Sequence, residues 1–279
     1  MQVPLAFGIV GLIVGSFLNV VIFRWGRRSL SGRSQCESCH RTIASYDLIP
    51  VFSWLALQGR CRFCKARIAT QYPLVEAGIA FLFVLIGLSP LPLYLRLSAL
   101  PIAAILVAIA VYDFRHAVIP DTWVWTFNAI AFFSIFAFPW HLLPGTSYLA
   151  ILAGPITALP LLALWIVSRG AWMGFGDVKL ALGMGFLLGI GGGLEALLLA
   201  FLLGAIISLP LLFFSSQLWR RILVKISPAI VSRKFLLGFT MKSEVPFGPF
   251  LIVSTGIIWI LNMYGIALPP SFMLEALRW

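Results

Sequence analysis

Long apolar segments follow one another along the whole chain, and they restrict its fold more than any other feature. A membrane-spanning helix needs about 20 apolar residues, with a range of roughly 17 to 25. Seven segments fall within that range, namely 4–23, 72–88, 95–112, 122–138, 148–167, 194–214 and 246–268, and an eighth, 177–188, is shorter. Because the chain is also 61% hydrophobic and only 10% charged, it is predicted to be an all-α, polytopic integral membrane protein with about eight transmembrane helices.

The positive charges lie in a few loops between these segments. Segment 24–70 alone holds nine of the 20 Lys and Arg residues, and placing it in the cytoplasm puts 18 of them inside and two outside. A bias of this kind sets membrane orientation. It predicts that both termini lie outside. The net charge of +11 is therefore attributed to topology and to contact with membrane lipid, and no nucleic-acid partner is predicted.

The polarity of the chain divides it into three parts. These are a first transmembrane helix at 1–23, a polar cytoplasmic loop at 24–71 and a seven-helix membrane core at 72–279. Within the loop, the apolar segment 48–57 is too short to cross a membrane. It is expected to pack on the membrane face or in a small core of the loop itself.

A few residues in the first two spans carry expectations about packing. Gly11, Gly15 and Ser16 in the first span could allow a close approach of another helix. Asn19 is a polar group in the same span that must find a partner. Glu76, near the start of the second span, is expected to pair with an arginine of the loop.

All four cysteines lie in the polar loop, as Cys36-Glu37-Ser38-Cys39 and Cys61-Arg62-Phe63-Cys64. Two CxxC pairs separated by 21 residues are typical of a structural zinc site, here with four thiolate ligands. Disulfides are disfavoured on the reducing cytoplasmic side. The pattern CxxCH, which ends at His40, matches haem attachment, but that alternative would leave Cys61 and Cys64 without a role. The predicted cofactor is therefore zinc.

Two aspartates lie in strongly apolar surroundings. Asp177 belongs to the run Gly174-Phe175-Gly176-Asp177-Val178-Lys179, and Asp113 directly follows the third apolar segment. An ionisable residue at membrane depth is costly and marks a functional site by default. Two carboxyl groups that a fold brings together can share one proton, as in the aspartic proteases. We therefore expect Asp113 and Asp177 to form a catalytic pair.

Several neighbours of this pair are candidates for supporting roles. Gly174 and Gly176 keep the approach to Asp177 free of side chains. Lys179 could form a salt bridge with either aspartate or line the site. Asp121 follows a proline and precedes an apolar segment, so it resembles a helix N-cap, and it is near enough to Asp113 to matter.

The segment that starts at Asp177 is too short for a complete span. Its twelve residues would cover only ~18 Å as a helix, against a hydrocarbon core of ~30 Å. The glycine-rich stretch 189–193 is predicted to separate it from the next span. Asp177 is thus expected on a loop that dips into the membrane. A transporter or channel that uses Asp113 and Asp177 as an ion relay would also bury two acids, and these residues alone leave that alternative open.

The order of these motifs resembles that of the type IV prepilin peptidases over most of the chain. Residues 15–24 resemble the family's N-terminal signature, and the CxxC pairs with 46–54 and 72–76 resemble its cytoplasmic domain. The run around Asp113 to Asp121, the GxGDxK run, and Pro246-Phe247-Gly248-Pro249 follow in the family's order. Glu37 departs from the family, which usually has proline there; the departure bears on the shape of the loop rather than on metal ligation.

This resemblance implies a bacterial inner-membrane enzyme whose active site faces the cytoplasm. It implies that Asp113 and Asp177 cleave the leader peptide of type IV prepilins or pseudopilins, and that the new N-terminus is methylated from S-adenosylmethionine. The four-cysteine loop is the family's mark of the bifunctional form, although the chain has no recognisable motif for that methyl donor. Presenilin-like proteases also pair Tyr-Asp with Gly-x-Gly-Asp, but they carry a Pro-Ala-Leu motif and no four-cysteine loop.

Overall fold

The computed structural model describes residues 2–26, 29, 32–137, 146–215 and 246–266. The helices are α1 (Gln2–Arg24), α2 (Phe52–Ala56), α3 (Gln71–Leu88), α4 (Leu93–His116), α5 (Asp121–Ala137), α6 (Thr146–Ser168), α7 (Phe175–Ser215) and α8 (Gly248–Met263). A 3-10 turn at Ser45–Leu48 precedes α2. The all-α prediction is confirmed for these residues. The basic loop expected at 215–245 and the end of the last span fall almost entirely outside them.

Five helices are long and apolar enough to cross a membrane, namely α1, α3, α4, residues 150–168 of α6 and residues 175–210 of α7. The prediction of a multi-pass membrane protein is therefore confirmed. The total of eight spans stays a prediction. Helix α5 and the shorter apolar helix α8 are not among these five, and α7 covers two of the expected spans. Within α7 the predicted break is confined to one residue, Gly189, whose φ of 75° and ψ of 179° interrupt the helix.

The first of two compact units contains α1, the cysteine loop, α3 and α4 as far as Tyr112. Here α1 packs against α3 through small residues, as expected. A Cβ added at Gly11 would lie 2.6 Å from Ala80 Cα, and one added at Gly15 would lie 2.7 Å from Glu76 Cα. Asn19 of α1 finds its partner on α3, because its Nδ2 donates to the Tyr72 carbonyl at 3.1 Å.

The second unit contains Asp113–Ile135, α6, α7 and α8 as far as Ile258. In this unit α6 packs against α7, again at positions where a side chain would not fit. A Cβ at Gly185 would meet the backbone of Ala153, and one at Gly193 would meet the Thr157 side chain. Helix α5 also contacts α7, since Asn128 Nδ2 donates to the Lys179 carbonyl at 3.0 Å. These contacts fix the start of α7, which carries Asp177.

Candidate active site and metal centre

Asp113 lies in the last turn of α4 and is only 4% exposed. Its carboxylate accepts a hydrogen bond from the backbone N–H of Gly248, the first residue of α8. Sequence reasoning gave Gly248 no role beyond its place in a motif. The only available signal was a glycine between two prolines, which does not say what its N–H would face.

Asp177 lies in the first turn of α7 and is 7% exposed. Its N–H donates to the Gly174 carbonyl at 3.2 Å, and the helix begins at Phe175. The expectation that Asp177 lies on a loop was therefore wrong. The leading N–H groups of a helix have no partner within it, which favours acceptor groups near its start. An acid in this turn is also favoured by the helix dipole.

The Ile119 side chain lies next to Gly176, which precedes Asp177, and next to Gly248, which binds Asp113. A Cβ added at Gly176 would lie 3.1 Å from Ile119 Cβ, and one added at Gly248 would lie 3.3 Å from Ile119 Cδ1. Asp113 and Asp177 are close enough for their charges to interact. All of these residues belong to the second unit. The structure thus brings the two predicted acids to one place, while their catalytic role stays a prediction.

Lys179 pairs with an acid other than the two that were expected. Its Nζ lies 2.6 Å from Asp121 Oδ1 and 5.3 Å from the centre of the Phe175 ring. A salt bridge with Asp113 or Asp177, one of the two roles considered for Lys179, was therefore wrong; the other, that Lys179 lines the site, stays a prediction. Asp121 is the first residue of α5, so this pair links the start of α5 to the start of α7. Lys179 lies on the turn after Asp177, and its long side chain reaches the helix next to it.

The four cysteines converge although 21 residues separate the two pairs. Their sulfur atoms all lie within 4.8 Å of one another, and Cys36 Sγ is 3.7 Å from Cys64 Sγ. A tetrahedral zinc ion with Zn–S bonds of about 2.3 Å requires sulfur–sulfur separations of about 3.8 Å. The cluster therefore fits such an ion. Haem attachment, which would use only Cys36 and Cys39, does not account for the convergence.

The backbone repeats the same turn at each cysteine pair. The Cys36 N–H donates to the Arg41 carbonyl, and the Cys61 N–H donates to the Ala66 carbonyl. Backbone N–H groups of Cys39 and Ser38 donate to the Cys36 sulfur and lower the pKa of this thiol to about 7. Because the thiolate is the form that binds metal, these hydrogen bonds favour the metal-binding form of Cys36. The pKa of Cys64 is instead raised to about 11: the Ala66 N–H lowers it, but burial and hydrogen bonds with the other thiols raise it more.

An ion pair fastens the rest of the loop to the second cysteine turn. Arg62 Nη2 lies 2.6 Å from Asp47 Oδ1, and Arg62 Nε donates to the same carboxylate at 2.9 Å. This hydrogen bonding to Arg62 lowers the pKa of Asp47. The guanidinium also lies 5.2 Å from the centre of the Tyr46 ring. The 3-10 turn is thereby held against the cluster.

Together, these features define a multi-pass, all-helical membrane protein with two buried carboxyl groups where helices begin and end, and with a four-cysteine cluster in a polar loop. Two family models match the chain. Residues 9–89 match the bacterial peptidase A24 N-terminal domain, and residues 100–209 match the type IV leader peptidase family.

Proteins named prepilin leader peptidase/N-methyltransferase are similar along almost the whole chain. The one from Dickeya chrysanthemi is 30% identical over 94% of this chain and 93% of its own length. The one from Pseudomonas putida is 29% identical over 92% and 89%, and the one from Vibrio cholerae is 29% identical over 85% and 96%. The chain belongs to the type IV leader peptidase family. No solved structure matches it significantly.

Proposed function

We propose that this protein cleaves the leader peptide from type IV prepilins or pseudopilins and then methylates the new N-terminus. One observation carries the proposal. Asp113 and Asp177 are both buried and interact electrostatically, in a chain that belongs to the type IV leader peptidase family. An ion-relay transporter, the alternative that the residues alone left open, has no support from that membership.

The pair can hydrolyse a peptide bond as a general acid and a general base. One carboxylate takes a proton from a water molecule, and the water oxygen attacks the carbonyl carbon. The other carboxyl group, which carries a proton, donates a hydrogen bond to the carbonyl oxygen and stabilises its developing charge. The C–N bond then breaks, and the leaving nitrogen takes up a proton from the pair.

The surrounding residues hold this pair in place. The Gly248 N–H fixes the orientation of the Asp113 carboxylate. Gly174 leaves the approach open, since a Cβ there would have only the Gly176 nitrogen, at 3.9 Å, near it. Lys179 and Asp121 position α7 against α5 through their 2.6 Å contact, so we assign them a positioning role.

We assign the cysteine cluster to one structural zinc ion, held by Cys36, Cys39, Cys61 and Cys64. Four thiolate ligands with no open position are typical of structural rather than catalytic zinc. When bound, the ion closes a loop that is too small to form a core of its own. No step of the peptide cleavage passes through it.

The methyl transfer is proposed on the names of the similar proteins. S-adenosylmethionine supplies the methyl group when it is bound. The part of the reaction that falls to this chain is to present the new N-terminal amine in its neutral form. No residue is assigned to the methyl donor, because the sequence contains no recognisable motif for it.

We place the enzyme in the bacterial inner membrane, with both termini outside and the aspartate pair on the cytoplasmic side. The support is the distribution of Lys and Arg, 18 against two, which follows the positive-inside rule. The substrate then has a short leader in the cytoplasm ahead of an apolar helix.

The function is tested with purified enzyme in proteoliposomes, a prepilin from the same organism and isotopically labelled S-adenosylmethionine. Mass spectrometry should find the leader removed and one labelled methyl group on the new N-terminal residue. The Asp113→Asn variant is the matched control and should leave the prepilin whole.

Two results would contradict the proposal. Cleavage without a label on the new N-terminus would support the peptidase activity and exclude the methyltransferase activity. If none of the prepilins or pseudopilins of that organism were cut, the proposed peptidase activity would be excluded and the transporter alternative would return.

A further inference from the structure

The cysteine loop exposes a group of large apolar side chains around α2, which we call the α2 face. Its members, with their exposed fractions, are Tyr46 (61%), Leu48 (42%), Ile49 (50%), Phe52 (64%) and Leu55 (59%). Phe52 and Leu55 are three residues apart on α2 and therefore lie on the same side of it. The first three lie in or next to the 3-10 turn that contacts α2. A cluster of exposed apolar side chains in a polar loop is a candidate interaction surface.

A hydrogen bond from the loop to α3 sets the position of this face. Val51, which immediately precedes α2, donates its N–H to Glu76 Oε2 at 2.7 Å. Glu76 is only 7% exposed and also shares a hydrogen bond with the Ser16 side chain of α1. The expectation that Glu76 pairs with a loop arginine was therefore wrong. Its carboxylate instead anchors the beginning of α2 to the α1–α3 pair.

The length of α3 gives the depth of Glu76 in the membrane. Its 18 residues extend over ~27 Å, slightly less than the ~30 Å of hydrocarbon that a spanning helix must cross. Gln71 must therefore lie close to the boundary of the membrane. Glu76 is five residues further along, which is about 7–8 Å deeper at 1.5 Å per residue. The loop thus turns back beside the first turns of α3, and α2 begins beside a residue that lies about 7–8 Å below the boundary. Interfacial helices bury their apolar face to a similar depth, about 5–10 Å.

The charge around the α2 face indicates the charge of the lipids that it would contact. The described part of the loop has six exposed cationic side chains: Arg33, Arg41, Arg60, Arg62, Lys65 and Arg67. Its acids are Glu37 and Asp47, and Asp47 already binds Arg62. Arg62 and Arg41 lie over the rings of Tyr46 and Phe63, at 5.2 and 5.0 Å. Cations next to exposed apolar groups are typical of segments that lie in an anionic interface.

We propose that the α2 face is a lipid-binding surface, which enters the boundary between headgroups and acyl chains of an anionic leaflet and is held at that depth by Glu76. Lipid binding at the α2 face also affects the cysteine cluster. The Trp54 side chain of α2 donates to the Ile68 carbonyl at 3.4 Å, and its ring packs against Gly59, where a Cβ would lie 2.7 Å away. Lipid bound to α2 therefore holds the second cysteine turn near the membrane. This inference does not depend on the proposed function.

The test introduces a photoreactive benzoylphenylalanine at Phe52 or Leu55 of the full chain. The control position is Glu37, which is exposed in the same loop but lies outside the α2 face. The protein is placed in nanodiscs of phosphatidylcholine, with or without phosphatidylglycerol, and lipid adducts are counted by mass spectrometry. We expect several-fold more adducts at positions 52 and 55 than at position 37, and an increase when phosphatidylglycerol is present.

The role of Glu76 is tested in the same nanodiscs. Glu76→Ala should lower the adduct yield at position 52, whereas Glu76→Gln should retain it, because the amide oxygen can still accept the Val51 N–H. Equal adduct yields at positions 52, 55 and 37 would overturn the proposal. Equal yields in the two lipids would overturn the assignment to anionic lipid. Adducts to a second copy of the protein, or to an added prepilin in place of lipid, would also overturn it.

Discussion

The backbone N–H of Gly248 donates a hydrogen bond to the carboxylate of Asp113, although 135 positions separate the two residues. The contact is so close that a Cβ at position 248 would collide with Asp113 Oδ2 and press on Ile119. A glycine is needed here for the space rather than for an unusual backbone conformation. The first residue of α8 thus controls the orientation of an acid at the end of α4.

Replacing Gly248 with alanine should therefore displace the Asp113 carboxylate. A misplacement of about 1 Å in a catalytic group can lower a rate about 100-fold, and we expect a loss of at least that order in prepilin cleavage. Gly256→Ala is the control in the same helix, because a Cβ there has nothing within 4 Å. Rates measured on a prepilin in proteoliposomes should separate the two variants; similar rates would exclude the positioning role of Gly248.

Neutralising either aspartate should abolish cleavage while the protein stays folded. Asp113→Asn and Asp177→Asn each remove the carboxylate that must take or give a proton. Glu195→Gln changes an acid of the same helix as Asp177 and should cleave like the unmodified enzyme. The measurement is the fraction of prepilin processed over time, with protein yield after size-exclusion chromatography as the check on folding. Substantial processing by either Asn variant would show that Asp113 and Asp177 are not a catalytic pair.

The Lys179–Asp121 contact should contribute modestly to the rate of prepilin cleavage. Asp121 is largely exposed, with 67% of its side chain accessible, and exposed ion pairs are worth at most about 1 kcal/mol. That value corresponds to about a fivefold change in rate. Lys179→Met and Asp121→Asn should each lower cleavage by no more than this, and the double variant should be no slower than the slower single variant. Fully additive losses would show that the two residues act separately.

Metal analysis of the purified protein should find about one zinc ion per chain, as four thiolate ligands require. Cys61→Ser should lower that content sharply, whereas Ser38→Ala, within the first cysteine turn, should retain it. Removing the metal with a chelator should speed hydrogen exchange in residues 34–68, because the ion closes this loop. Unchanged exchange in metal-free protein would argue against a structural zinc site.

Close packing of α1 on α3 should not tolerate a branched side chain. Gly15→Val places carbon atoms against the Glu76 backbone and should destabilise the protein by about 1–3 kcal/mol, as overpacking typically does. Gly78→Ala is the control on α3, since a Cβ there meets nothing within 4 Å. Thermal unfolding in detergent, followed by the loss of soluble protein, measures both. An unchanged midpoint for Gly15→Val would contradict this packing.

The sequence by itself determined the features that depend on local composition and spacing. Spanning a membrane requires about 20 apolar residues in succession, so the multi-pass, all-α class could be derived directly. The CxxC spacing indicated the four-cysteine cluster, because each pair forms its turn locally. The two acids in apolar surroundings were found because buried charge is costly wherever it occurs. The small residues of α1 likewise indicated a close helix contact.

Only the tertiary structure decided which residues meet. Lys179 reaches Asp121, Glu76 accepts the Val51 N–H and Gly248 binds Asp113. These choices depend on which helices are neighbours and at what height, which no local pattern encodes. The early start of α7 at Phe175 was misjudged for a related reason, whereas the break expected at 189–193 was found as a kink at Gly189. Glycine permits a break or a continued helix, and packing of α7 against α5 and α6 selects between them.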